Sequence, residues 1–292
     1  MDSPGTHRRQ RRAHRFVALL ALASTALPAS ALAARAPVLV APAQLTSDAA
    51  LQVTPMTSEE AMINHMQRPL ESNNTVIYDQ QFGNSVAAGA LLGPFGVAAN
   101  IAATKRRTEQ ETAAMQGKFG FDGTAMARDA LTAAGFVVGD GSTAPAAFVT
   151  PTLRVISSGG DALYLSVMLT VGQTRADGKP WRGTYAYYLD EELQRPEVVA
   201  GLSEERRAAL VAKVQDGFMQ VAGLLRDDAA GKLVNGRQLF FRSKIISPRF
   251  DFQITGVELP APAGRMVVRT ATSVASAPAD RVEIVRYVEP KQ

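Results

Sequence analysis

Apolar and polar residues alternate most regularly in the middle of the chain. From Ala162 to Gln173 every second side chain is apolar, and Trp181 to Leu189 resumes a strand-like pattern after the pair Asp177-Gly178. Strict alternation is typical of a strand with one buried face, and an Asp-Gly pair is typical of a tight hairpin turn. The pattern therefore predicts a β-hairpin over residues 162–189.

A helical period follows the hairpin. Ser203 is a candidate N-cap, and Gly231 is a candidate stop signal. Between them, apolar side chains recur at spacings of three and four residues: Leu210, Val214, Phe218, Val221 and Leu225. This spacing is typical of an amphipathic helix with one apolar stripe. We expect a helix over residues 203–226 that packs this stripe on the hairpin.

The part before the hairpin has a less regular pattern. Residues 34–55 are rich in Ala, Pro and Val without a helical period, which favours an extended, mobile leader. Thr57-Ser58-Glu59-Glu60 has the sequence of a capping box and predicts the start of a short helix. Residues 74–80 are strand-like, and Asp122 is a candidate cap for a helix that ends before Gly135.

These elements predict an α+β fold with a mixed, mostly antiparallel sheet, one long amphipathic helix and a Gly/Ala-rich helical excursion. In the last part, short β-like runs alternate with Gly/Pro turns at 238–242, 250–257, 266–270 and 281–288. The predicted organisation is a signal peptide at 1–33, a leader at 34–55, a helical region at 56–135, an α/β core at 136–231 and a C-terminal β region at 232–292.

The first 33 residues have the three parts of a secretory signal peptide. A run of five arginines among residues 8–15 precedes an apolar stretch from Phe16 to Leu27, and Ala31-Leu32-Ala33 is a cleavage motif. We expect a mature chain that begins at Ala34 in the periplasm, with outer-membrane association or secretion as alternatives. Removal of this leader leaves 26 basic and 26 acidic residues, so the basic charge of the full chain gives no support to nucleic-acid binding.

The mature chain has few residues suited to catalysis. It contains no cysteine, and His65 is its one histidine, so we expect no catalytic residue, no metal site and no cofactor. Ser85 follows a strand in an arrangement like a nucleophile elbow, but no histidine follows it. Two alternatives stay open. The first is a carboxylate-based hydrolase of envelope glycans that uses Asp190-Glu191-Glu192. The second is a small-ligand carrier lined by Tyr164, Trp181, Tyr185 and Tyr187.

The most unusual segment runs from Val86 to Ala103. Its 18 residues carry no charge, and Lys105-Arg106-Arg107 follow it directly. Three interpretations are open: a helical hairpin that packs in protein or in an oligomer, a membrane-associated element with the basic residues at the headgroups, or a glycine-rich loop over the core. The candidate association residues are Gly89, Leu91, Leu92, Gly93, Phe95, Gly96, Lys105, Arg106 and Arg107.

The chain resembles the glycine-zipper-bearing envelope proteins of Gram-negative bacteria in the order of its segments. These are a signal peptide, a strand, a Gly/Ala-rich apolar segment, a short basic run and a polar helix. The resemblance covers roughly residues 80–118, and the glycine spacing breaks at Pro94-Phe95-Gly96. It implies an envelope location and association through helices. We therefore expect a non-enzymatic exported protein that associates with an envelope protein or with itself, or with a membrane surface, through the Gly-rich segment.

Overall fold

The computed structural model describes residues 39–46, 49–62, 67–80, 93–139, 145–157, 160–247 and 253–288. Residues 93–97 are described by their backbone alone. All the described residues belong to one compact unit. The signal peptide expected at 1–33 lies outside them.

One large mixed sheet contains the described strands. They are β1 (Ala50–Val53), β2 (Gln67–Pro69), β3 (Val76–Gln80), β4 (Val137–Val138), β5 (Ala147–Ser157), β6 (Ala162–Thr174), β7 (Pro180–Gln194), β8 (Gln238–Arg242), β9 (Ile254–Leu259), β10 (Arg265–Arg269), β11 (Ser273–Pro278) and β12 (Glu283–Tyr287). Their order is β12-β8-β9-β10-β11-β7-β6-β5-β1-β4, and β3 pairs with both β2 and β5.

The structure confirms the predicted α+β class with a mixed sheet. Strands β6 and β7 form the predicted antiparallel hairpin, which is longer than expected because β7 continues to Gln194. The C-terminal β region extends the same sheet, since β11 pairs in parallel with β7 and places Val274 opposite Tyr185. Strand β11 is absent from the sequence-based prediction because its residues, Ser273–Pro278, are mostly small.

The described helices are α1 (Ser58–Ala61), α2 (Gly93–Met115), α3 (Gly123–Ala133), α4 (Arg195–Ala200) and α5 (Glu204–Ala229), with a 3₁₀ turn at Ala279–Arg281. In α5 the Ser203 Oγ accepts a hydrogen bond from the Arg206 N–H at 3.2 Å, which is the predicted cap. The predicted stripe is fully buried and packs, together with α3, on one face of the sheet.

Gly217 allows α5 to approach the sheet closely. A Cβ atom at this position would lie 2.8 Å from Val167 Cγ2 and 3.0 Å from Leu189 Cδ2. Both distances are shorter than ordinary van der Waals contact, so a larger residue here would push the helix away from the hairpin.

The leader expected to be mobile is part of the core where it is described. Val40, Ala43 and Leu45 are buried, and the Trp181 indole donates a hydrogen bond to the Ala41 carbonyl at 3.2 Å. Strand β1 then pairs in parallel with β5. The segment lacks helical periodicity because it runs in extended form past the ends of β10 and β7 before it joins the sheet as β1.

The sheet curls strongly toward its second face. Tyr164 on β6 and Arg242 on β8 line the same cavity, although five inter-strand steps separate their strands. In a flat sheet these steps would place the strands roughly 24 Å apart. The curl encloses a second apolar cluster on the face opposite α5, which includes Ile156, Tyr188, Phe241 and Val268.

A buried ion pair joins the end of α5 to the sheet. Arg269 is 2 % exposed and Asp228 is 1 % exposed, and two guanidinium nitrogens of Arg269 face the two carboxylate oxygens of Asp228. The Tyr185 hydroxyl donates to Asp228 Oδ2 at 2.6 Å, and the Arg269 Nε–H donates to Asn235 Oδ1 at 3.1 Å. Burial and the neighbouring carboxylate raise the pKa of Tyr185, so its hydroxyl stays protonated as a donor.

Asp228→Leu is expected to destabilise the protein by about 3–5 kcal/mol, because it leaves the Arg269 charge buried without its partner. The double variant Asp228→Leu with Arg269→Met is expected to recover most of this loss, since it removes both charges. Urea unfolding gives the free energies. Asp227→Leu is the matched control, with a loss under about 1 kcal/mol, because Asp227 makes only exposed ion pairs. Additive losses in the double variant would contradict this account.

Candidate association surface

Helix α2 contains the described members of the predicted site. Gly89, Leu91 and Leu92 lie outside the described residues. Gly93, Phe95 and Gly96 lie at the start of α2, where only the backbone is described. Lys105, Arg106 and Arg107 lie in the middle of α2 and are exposed. The helix has 23 residues, so it is about 35 Å long.

The second half of α2 is fixed to the sheet by polar contacts. The Tyr78 hydroxyl on β3 donates to Glu111 Oε2, and Arg195, the first residue of α4, donates to Glu111 Oε1 at 2.7 Å. The Thr108 hydroxyl donates to Gln80 Oε1 at 2.5 Å. Burial and the hydrogen bond to Glu111 raise the pKa of Tyr78, so this hydroxyl remains a donor.

These contacts lie on one stripe of the helix. Thr108, Thr112 and Met115 are buried and Glu111 is half-buried, which is the spacing of residues on a single helical face. Arg195 extends the anchor, because its second terminal nitrogen donates to Ser157 Oγ at 2.8 Å and to the Gly160 carbonyl at 2.7 Å. The second half of α2 is therefore held by β3, β5 and α4.

Residues 98–104 of α2 have the reverse of the usual amphipathic arrangement. Asn100 and Thr104 continue the inward stripe at intervals of four residues and are half-buried. The outward positions are small or apolar: Ala98, Ala99, Ile101, Ala102 and Ala103. All five are exposed, and Ile101 retains 40 % of its accessible surface. We call this set the outer face of α2.

A surface helix normally turns its apolar stripe inward and its polar residues outward. An exposed and contiguous apolar surface marks an interaction site in many proteins. The sequence carries a signal for this inversion, because polar residues at 100, 104 and 108 share one helical face within an otherwise apolar stretch. The sequence-based prediction named the glycines, Leu91, Leu92, Phe95 and the basic residues, and it did not name the alanines or Ile101 of the outer face.

The basic residues after the outer face are mostly paired within the chain. Arg107 Nε lies 2.9 Å from Glu111 Oε1, and Lys105 Nζ lies 3.9 Å from Glu109 Oε1. Arg106 forms no ion pair with any described residue. The local excess of positive charge is thus smaller than the sequence suggests, and it falls short of the clusters of about four to eight cations that bind anionic headgroups.

Within the described ranges, no helix has the length and hydropathy needed to cross a bilayer.

The carboxylates proposed for a hydrolase are held by basic side chains. Asp190 Oδ1 accepts a hydrogen bond from Arg265 at 3.0 Å. Glu191 pairs with Arg206 at 2.6 Å and with Lys213, and Glu192 lies 3.6 Å from Arg281. A general acid needs a raised pKa, whereas the hydrogen bonds from Lys213 and Arg206 lower the pKa of Glu191. Among the described side chains, no group of three His, Asp or Glu residues is placed to hold a metal ion.

The aromatic residues proposed to line a ligand site do not share one cavity. Trp181 and Tyr185 are buried in the core under α5, and Tyr187 lies on that same face beneath the Arg265 guanidinium. Tyr164 is on the opposite face of the sheet. The alternation in β6 and β7 therefore separates this set, since neighbouring side chains on a strand point to opposite faces.

No family model, curated protein or solved structure matches this chain. Its functional interpretation rests on the residues themselves.

Glu191→Gln tests the assignment of this carboxylate to an ion-pair network. Partial burial raises the pKa of Glu191, but hydrogen bonds from Lys213 and Arg206 outweigh it and lower the pKa overall. The lowered pKa adds stability above the unfolded value of about 4.3, and this stability is lost as the pH falls through the folded value. We expect Glu191→Gln to cost about 1 kcal/mol at pH 7 and nearly nothing below the folded pKa, as measured by urea unfolding. A loss of unfolding free energy that does not change with pH would contradict the ion-pair assignment of Glu191.

Proposed function

We propose that this chain is an exported, non-enzymatic protein of the bacterial envelope that acts by protein–protein association through the outer face of α2. The observation that carries the proposal is the inverted helix: polar residues point toward the body of the protein while Ile101 and four alanines are exposed. Burial of apolar surface is the main driving force for association between proteins. The partner is an apolar protein surface on another envelope protein or on a second copy of this chain.

The contacts that anchor α2 support a role in which the helix presents its outer face to a partner protein. Tyr78, Glu111 and Arg195 hold the second half of the helix in place, so the first half is presented in a defined orientation. A rigid element loses less conformational entropy on binding than a flexible one. The small alanine side chains also permit close approach of a partner helix, as in small-residue helix interfaces.

Protein association is favoured over the membrane-surface alternative by the charges beside the outer face. Arg107 and Lys105 are paired with Glu111 and Glu109, and these acidic residues would oppose anionic headgroups. Export is supported by the arginine-rich start, the apolar stretch and the Ala31-Leu32-Ala33 motif. The hydrolase alternative has less support, because its three carboxylates are engaged with basic side chains.

Ile101→Glu is expected to weaken association at least tenfold, because it places a charge in an apolar contact; a tenfold change corresponds to about 1.4 kcal/mol. Ala113→Glu is the matched control, since Ala113 is also exposed on α2 but lies outside the outer face. Sedimentation velocity measures self-association. A photo-crosslinker at position 101 or at position 113 in cells that export the protein detects a separate partner.

The expected result is an oligomer or a discrete adduct that depends on position 101 and not on position 113. A wild-type monomer without an adduct at position 101 would refute the proposal. Binding to anionic vesicles that Arg106→Glu abolishes, without any protein adduct, would favour the membrane surface instead.

Export has its own test. Protein recovered from the periplasmic fraction is expected to begin at Ala34, and Ala33→Phe is expected to block cleavage and leave a precursor that is larger by 33 residues. N-terminal sequencing and mass spectrometry of the fractions measure both results. Uncleaved wild-type protein in the cytoplasm would contradict the assignment.

A further inference from the structure

A cavity of about 250 Å³ lies where the curled sheet brings β8 close to the start of β6. The 3₁₀ turn at Ala279–Arg281 closes one side of it. The residues that carry its chemistry are Tyr164, Arg242, Lys244, Ile245, Asp280 and Glu283. The cavity is on the face of the sheet opposite α5 and is formed by elements other than α2.

Charges of both signs line this cavity without pairing to each other. The Arg242 Nε–H is buried and has no acceptor among the described atoms. Among the described residues, no ion pair or hydrogen bond engages the charged side-chain ends of Arg242, Lys244, Asp280 or Glu283. Arg242 is half-buried, and the other three residues are exposed at the mouth of the cavity. Arg242 and Glu283 are also directly opposite on β8 and β12. Opposite charges in such cross-strand positions ordinarily attract and pair.

The other polar groups of the cavity are already engaged. Arg281 donates to the Tyr164 hydroxyl at 3.3 Å and lies 3.6 Å from Glu192. The Ser243 hydroxyl donates to the Arg281 carbonyl at 2.9 Å. These contacts hold the 3₁₀ turn and the Tyr164 side chain in place, so one wall of the cavity is rigid. A buried donor without an acceptor is costly and needs an explanation.

We infer that this cavity binds a free α-amino acid with an apolar side chain. Its carboxylate accepts hydrogen bonds from Arg242 and Lys244, and its ammonium group donates to Asp280 and Glu283. A simple anion would face two unpaired carboxylates, and a simple cation would face two unpaired basic groups. A zwitterion satisfies both sets at once.

Size and apolar surface fit the same ligand class. A cavity of about 250 Å³ suits a small ligand such as a single amino acid. The Tyr164 ring and the buried Ile245 side chain provide the apolar wall for the ligand's side chain. This site is independent of the outer face of α2, so either proposal can fail without the other.

The test is protein-observed NMR titration of the full mature chain with L-leucine and L-phenylalanine. N-acetyl-L-leucine lacks the ammonium group and L-leucine amide lacks the carboxylate, so each is expected to bind at least tenfold more weakly. Arg242→Gln and Glu283→Gln are each expected to raise the Kd at least tenfold. Arg237→Gln is the matched control, expected within twofold of wild type, because Arg237 stacks on Tyr287 and does not line the cavity.

The assignment is supported if the NMR chemical shifts of Tyr164 and Ile245 change saturably and the analogues and variants lose affinity in the expected pattern. Absence of saturable shifts, equal binding of N-acetyl-L-leucine or inorganic phosphate, or an equal loss in Arg237→Gln overturns it. If Arg242→Gln fails to fold, as judged by circular dichroism, Lys244→Gln replaces it. The expected result with that variant is a loss of affinity for L-leucine, and unchanged affinity overturns the assignment.

Discussion

One buried guanidinium, that of Arg269, connects parts of the chain that are far apart in sequence. It pairs with Asp228 at the end of α5, and through this carboxylate it meets Tyr185 on β7. It also donates to the Val40 carbonyl at 3.4 Å and to Asn235 after the helix. These contacts bring β10, the central hairpin, the end of α5 and the leader together at one buried ion pair, and loss of one partner alone would leave a charge buried without compensation.

The curl creates the cavity on the second face, while α2 lies beside the main core and contributes Met115 to it. Residues from β6, β8 and the 3₁₀ turn approach each other only because the sheet bends across five inter-strand steps. Helix α2 is added at the edge, where β3 offers Tyr78 and Gln80 as polar anchors. Polar anchoring leaves the apolar side of α2 exposed, so the same edge contacts that position the helix also create its outer face.

Local patterns predicted the parts of the fold whose contacts are close in sequence. The hairpin and α5 follow from alternation and helical spacing, because each buries a face that a single period defines. Strand β11 was missed since its small residues carry little hydrophobic signal, and its parallel pairing with β7 joins residues about 90 positions apart. Arg269 was missed for a related reason: an arginine at the end of a strand is usually solvated, and only the tertiary fold places Asp228 beside it.

The candidate sites also depend on contacts between residues far apart in sequence, which local patterns do not predict. The sequence drew attention to α2 through its missing charges, but it could not show which side of the helix is exposed, since an apolar stretch with scattered polar residues fits either orientation. The contacts of Thr108 and Glu111 decide this orientation, and both partners, Gln80 and Tyr78, lie about 30 positions earlier. The cavity at Arg242 had no local signal at all, because Tyr164 and Glu283 come from distant strands. Both proposed sites therefore lie on surfaces that long-range packing creates, and residues chosen by motif alone give only part of each one.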